Sequence, residues 1–153
     1  MGLQLTSSSF VNGQAIPVTH TGDGANASPP LAWTNAPAGT KAFALICDDP
    51  DAPGGSWVHW VLYDLPPEMS SLAGGAEKTE SVLGSAKQGM TDFHKVGYWG
   101  PAPPPGAPHR YFYRLYALDQ PSGLGARATK KQLLAAIEGH VLGKAELVGT
   151  YRR

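Results

Sequence analysis

Only one cysteine, Cys47, occurs among the 153 residues, so no internal disulfide can brace the chain and its fold must rest on an apolar core. Cys47 itself ends the apolar run Ala42 to Cys47, where a small buried thiol is the usual case and a reactive one is not. Neither charge sign prevails: 12 lysines and arginines balance 12 aspartates and glutamates. That balance excludes the broad basic field that draws nucleic acid or an acidic membrane surface, so an anion has to be captured locally. Met1 to Asn12 has no basic stretch followed by a long apolar run and reads as neither secretory signal nor membrane anchor. Cytoplasmic residence without stable membrane insertion is the expectation. Several chemistries lack their motifs. No G-x-x-x-x-G-K-[ST] phosphate loop occurs, and no G-x-S-x-G elbow; Gly54, Gly55, Ser56 is a turn without an identifiable base. His59 and His109 are fifty residues apart and belong to no local paired-histidine motif, which gives no ground for a metal, and no cofactor is expected.

What is abundant is turn chemistry. Glycine (19) and proline (14) punctuate short apolar segments, the pattern of a loop-rich sheet protein rather than of disorder. Lys41 to Asp48 and Trp57 to Leu65 read as central strands, and His109 to Asp119 as a third with two alternating faces. Further strand candidates are Leu3 to Phe10, Leu31 to Thr34, Val82 to Lys87 and Glu146 to Tyr151. One helix is expected: Thr129 and Gln132 form a capping box, Leu133, Leu134, Ile137 and Val141 recur at helical spacing, and Gly143 ends it. Many strands with few helices predict a mostly β single domain over residues 1–153, built as an antiparallel β-sandwich.

Polar groups concentrate beside two turns. The first cluster runs Asp48, Asp49, Pro50, Asp51, Ala52, Pro53 and on to Trp57, His59 and Trp60; the second runs Gly97, Gly100, Pro101, Pro103 to His109, Arg110 and Tyr111. Between them the segment Gly100 to Pro108 holds five of the fourteen prolines, a stiff loop suited to the rim of a pocket. Strand alternation puts Trp57, His59 and Val61 on one face and Val58, Trp60 and Leu62 on the other, while His109 and Tyr111 share a face that Arg110 opposes. Should the two strands be neighbours, two imidazoles and a phenol converge, with Asp49 and Asp51 at the edge. Such donors suit phosphate or carboxylate oxygens, and an aspartate can orient one histidine. Each residue also has a plainer reading. A histidine beside tryptophans is often a core residue bonded to a carbonyl; Arg110 suits a structural ion pair; Asp48 to Asp51 can be turn residues. His20, His94 and His140 have no such context and read as surface residues.

At these two clusters the chain resembles the phosphatidylethanolamine-binding protein family, in particular its bacterial Raf kinase inhibitor-like branch. The similarity rests on Asp49, Pro50, Asp51, Ala52, Pro53 with His59, and on Gly100, Pro101, Pro103 with His109, Arg110, Tyr111. It extends through Gly24 to Trp33 and the tail Glu138 to Tyr151. The resemblance implies a Greek-key β-sandwich with one or two short helices and a small pocket for phosphate-like or carboxylate groups. Asp49, Pro53, Trp57, His59, His109 and Tyr111 match its ligand-binding positions; Asp51, Gly100, Pro101 and Arg110 match its structural motif. Together with the tight acidic turn it implies a cis Ala52–Pro53 bond. It also implies a homodimer, for which Phe93, Tyr98 and Trp99 are candidate contacts. The expected function is binding of a small anionic ligand, with a possible regulatory role such as kinase or protease modulation through a phosphorylated protein partner. An enzyme using Asp49 and His59 as an acid and base pair is the alternative.

Overall fold

The computed structural model describes residues 2–153, in the order β1 (Gln4–Thr6), β2 (Leu31–Thr34), β3 (Ala42–Asp49), β4 (Trp57–Leu65), β5 (Ser71–Leu72), β6 (Ser81–Val82), β7 (Ala86–Gln88), β8 (His109–Leu118), α1 (Lys130–Ile137) and β9 (Val141–Tyr151). Two sheets form, ordered β1-β2-β5 and β6-β7-β4-β3-β8-β9, and every strand pairing is antiparallel. All eight residues of β3 are buried. This strand lies between β4 and β8 with both faces covered, which is why it reads as an unbroken apolar run rather than an alternating one.

Leu5, Leu31 and Trp33 of the small sheet pack on Phe43, Leu45 and Leu115 of the large one, forming the sandwich core. On the far face of the large sheet, Ala44, Ile46, Val61 and Tyr63 are covered by Leu133 and Ile137 of α1. The expected capping box is present: Gln132 N–H donates to Thr129 Oγ1 (3.1 Å) and Thr129 N–H to Gln132 Oε1 (3.0 Å), satisfying two of the free donors at the helix start.

The helix stops at Ile137, short of the expected Gly143. Val141, four residues on and so at helical spacing, instead opens β9 opposite Leu118. β9 therefore starts five residues before the expected Glu146 and runs along the whole of β8. β1 is shorter than the expected Leu3 to Phe10, because Ser7 breaks it by donating Oγ–H to Pro30 O (2.6 Å) and accepting Ser9 N–H (3.1 Å). Val82 to Lys87 folds back on itself as the β6–β7 hairpin. No helix is long and apolar enough among the described residues to cross a membrane.

Two further expectations are corrected. Every peptide bond among the described residues is trans, including Ala52–Pro53. The turn Ala52 to Gly55 closes through Gly55 N–H on Ala52 O (3.0 Å), with Pro53 at its second position and Gly54 (φ 85°) at its third. That is the type II arrangement, where a trans proline fits the second corner and a cis proline would belong at the third. His20 is buried, not at the surface. Its ring bridges Ala27 O (2.8 Å) and Ser9 Oγ (3.0 Å), and its carbonyl accepts Tyr98 O–H (2.6 Å).

The helix holds the far face of the sheet through one side of its surface, so its two adjacent leucines should behave differently. Leu133 is wholly buried and Leu134 is exposed. Leu133→Ala is expected to lower the unfolding free energy by about 2–4 kcal/mol, and Leu134→Ala to change it by less than about 0.5 kcal/mol, as read by denaturant titration.

Candidate functional site

β4 and β8 are not neighbours, because β3 lies between them, so the condition set for the histidines to converge is not met. The histidines meet all the same. Antiparallel order brings the end of β3 and the starts of β4 and β8 to one end of the sheet, so Asp49, Trp57 and His109 cluster there. Alternation then separates the two adjacent acids. Asp49 turns to the pocket, whereas Asp48 turns to the helix side and meets Lys130 Nζ (2.6 Å) and the Arg114 guanidinium (3.2 Å).

His59 reaches the pocket through an irregularity that alternation cannot produce. Cys47 pairs with Trp60 and Asp48 with Val58, so His59 has no partner across β3 and β4 carries a bulge. From Trp60 to Tyr63 the strand alternates between the sandwich core (Trp60, Leu62) and the helix side (Val61, Tyr63). The extra residue resets that phase, placing Val58 on the helix side and both Trp57 and His59 on the pocket. Bulges re-aim side chains in this way. Trp57 and His59 thus share a face as expected, and Val61 does not join them.

Asp49 is the hub. Its Oδ2 accepts His109 Nδ1–H (2.7 Å) and its Oδ1 accepts Asp51 N–H (2.7 Å). His109 is therefore the tautomer with its other ring nitrogen, Nε2, free for a ligand. The partner of Asp49 is His109, not His59 as an acid–base pair of the latter would need. Asp51 serves the scaffold: its carboxylate takes Arg110 N–H, Nε and Nη2, each at 2.9 Å, and these bonds hold it down to about 2. Arg110 is committed to that fork and faces away from the pocket.

His59 is held from the opposite side. Its Nδ1–H donates to Trp99 O, and its own carbonyl accepts Trp99 N–H (3.0 Å). Burial pushes its imidazole below the ordinary histidine range, outweighing the Trp99 carbonyl and the Asp49 charge, which act upward. The neutral ring so favoured presents an unprotonated Nε2, an acceptor. Tyr111 packs edge-on to His59 with ring centroids 5.2 Å apart. Burial, with the negative charge of Asp49, holds its phenol far above the usual tyrosine value, so it keeps its proton.

A cavity of about 300 Å³ is lined by Asp49, Ala52, Pro53, Trp57, His59, Phe93, Ala102, Pro103, Pro104, His109 and Tyr111. All six residues expected to bind ligand line it. The proline-rich loop supplies its rim, anchored where Gly100 N–H donates to Asn26 Oδ1 (2.6 Å) and Pro101 O accepts Gly22 N–H (2.8 Å). A Cβ on Gly100 would stand 2.2 Å from His20 O, so only glycine allows this approach. Phe93 was missed as a wall residue; it packs at 5.5 Å on Trp57 and 5.3 Å on His59. Of the candidate dimer contacts, Phe93 is thus part-buried, and Tyr98 is buried and shares a hydrogen bond with Tyr113. Trp99 lies between Lys78 and Lys95, whose ammonium groups sit 4.6 and 4.4 Å from its ring.

Chemically the cavity offers Nε2 of two histidines and one phenol within mostly apolar walls. No lysine or arginine lines it, nor any serine, threonine or cysteine that could act as a nucleophile. No three His, Cys, Asp or Glu side chains come together as metal ligands among the described residues.

Comparison with known proteins is consistent along the chain. A family model described as phosphatidylethanolamine-binding protein matches residues 6–152. A UPF0098 protein of Methanothermobacter thermautotrophicus is 46% identical over 151 residues, covering 99% of each chain. Among solved structures, a putative phosphatidylethanolamine-binding protein homologue from Chlamydia trachomatis superposes with a TM-score of 0.91 at 40% identity, covering 99% of this chain and 98% of that one. Escherichia coli YbcL, described as a new member of the mammalian family, gives 0.93 at 29% identity, covering 100% and 99%.

A histidine with a depressed native pKa binds fewer protons folded than unfolded, so stability rises with pH. The contribution of His59 is complete above the unfolded value of about 6.5 and is lost as pH falls through its native value. Imidazole NMR is expected to show His59 as the Nδ1–H tautomer titrating below pH 6.5; a ring protonated at pH 7 would contradict the geometry. Stability of the parent should fall on acidification across this window, and less so in His59→Gln.

Proposed function

Because this chain belongs to the phosphatidylethanolamine-binding protein family, we propose that it binds a small oxyanion bearing a short apolar substituent, such as a phosphomonoester or carboxylate, in the Asp49–His109 pocket. The observation that carries this reading is that His109, His59 and Tyr111 line one cavity of about 300 Å³, the lower end of the usual ligand-pocket range, with Nδ1 of each histidine already bonded within the protein. Asp49 does not oppose an anion as a free carboxylate would, since both its oxygens already accept hydrogen bonds from the protein. Tyr111 donates, and His109, oriented by Asp49 through Nδ1, turns its Nε2 to the ligand. Neutral His59 accepts, so a singly protonated phosphate or carboxylic acid can donate to it. The walls of Trp57, Phe93, Pro103 and Pro104 suit the methylene groups next to such a headgroup. With no lysine or arginine in the lining, affinity rests on hydrogen bonds and is weak. A phosphorylated side chain of a partner protein carries the same chemistry, which is how a regulatory role would use the site.

Acid strengthens binding by two routes: it supplies the monoprotonated ligand, and below about pH 6.5 it begins to turn His59 from acceptor to donor. Calorimetric titration with inorganic phosphate and a phosphomonoester should therefore show affinity rising as pH falls from 8 towards 6, whereas acetate, still ionised there, should change little. Loss of a charge-assisted bond in His109→Ala should weaken binding about 10- to 100-fold, while His94→Ala, at an exposed position, leaves it unchanged. A flat pH profile, or an unaltered His109→Ala, would contradict the proposal.

A further inference from the structure

The bulge that aims His59 needs support from outside the β3–β4 ladder, because the outer neighbour β7 reaches only Leu62 and Tyr63. Beyond that point residues 89–99 cover the strand edge. Gly89 N–H donates to Val61 O (2.8 Å) and Trp99 N–H to His59 O (3.0 Å). Asp92 takes both main-chain groups of Val58: its N–H donates to Val58 O (3.1 Å), and its Oδ2 accepts Val58 N–H (2.7 Å). A side chain, not another strand, thus meets the N–H displaced by the irregularity.

Resting on the pocket reading above, we infer that Asp92 is a positioning residue whose carboxylate, bonded to Val58 N–H, holds the bulge that turns His59 into the pocket. Asp92 is not among the residues lining the cavity and acts through its neighbours. Without its acceptor a main-chain N–H of nearly buried Val58 loses its partner. The strand can relieve that loss by abandoning the bulge, and a one-residue slip exchanges the faces of the side chains beyond it. His59 then leaves the pocket for the helix side. The next residue, Phe93, packs on both His59 and Trp57, so the same carboxylate also sets one wall. Thr91 closes the short loop that carries both, with its Oγ1 donating to Lys95 O (2.8 Å) and accepting Phe93 N–H (3.2 Å).

The test compares Asp92→Ala, which removes the acceptor, with Asp92→Asn, whose amide oxygen keeps it. Two readouts are taken on the full chain: the imidazole NMR signals of His59, and the affinity for inorganic phosphate. Asp92→Ala is expected to lose the His59 Nδ1–H signal to solvent exchange and to weaken phosphate about tenfold or more, with Asp92→Asn close to the parent in both. Should Asp92→Ala fail to fold, Asp92→Asn decides: displaced His59 signals in a folded Asp92→Asn protein overturn the inference, and parental signals support it. A folded Asp92→Ala with parental His59 signals also overturns it, leaving Asp92 as a loop-closing residue. If the parent itself fails to bind phosphate while Asp92→Ala still displaces the His59 signals, the positioning role stands and the oxyanion reading falls.

Discussion

The Asp49 carboxylate joins two segments that are distant in sequence. One oxygen fastens the turn after β3 through Asp51 N–H, and the other orients His109 at the start of β8, sixty residues on. The same turn presents Asp51 to the Arg110 fork, so turn and strand are tied twice, once inside the pocket and once outside. Without the inner bond His109 would have no set tautomer and the carboxylate would stand unpaired beside the Tyr111 phenol. An acidic residue at the centre of a proposed anion site is then no contradiction. Its charge is spent on aiming a histidine, whose far nitrogen is the one the proposed ligand would meet.

His59 is arranged on the opposite plan. A carboxylate holds His109, whereas a main-chain carbonyl holds His59, and burial keeps that ring neutral. The two imidazoles are therefore held by different means, although they share a cavity. The difference is built by position. His109 begins a regular strand, and His59 occupies the extra residue of a bulge, where the covering loop can bond to it both at the ring and at the main chain.

Much of this was legible in the sequence, and the parts that were not share a cause. β2 and β4 have the bounds read from their apolar runs, β8 ends one residue early, and Thr129 with Gln132 caps the helix as its spacing implies. The helix end was misplaced because Val141 lies four residues after Ile137, a spacing that helix and chance both satisfy. The bulge was hidden for a similar reason: in Trp57 to Leu62 nearly every residue is apolar or aromatic, so alternation has no polar marker to show where the phase slips. All six expected pocket residues do line the cavity, because the resemblance and the turn chemistry pointed to strand ends rather than to a register. Phe93 and Asp92 lie in a loop whose local sequence gives no sign of the strand it covers. His20 gave no signal either, since both partners of its ring, Ala27 O and Ser9 Oγ, lie in irregular segments without periodicity.

The central question is whether a small oxyanion sits against the hub that Asp49 organises. Side-chain NMR during titration with a phosphomonoester tests this directly. The ring signals of His109 and His59 and the aromatic signals of Tyr111 and Trp57 are predicted to move together along one saturating curve, with the Asp48–Arg114–Lys130 cluster on the other face of the sheet unmoved. Perturbation centred on that cluster or on surface lysines, with His109 still, would contradict the account.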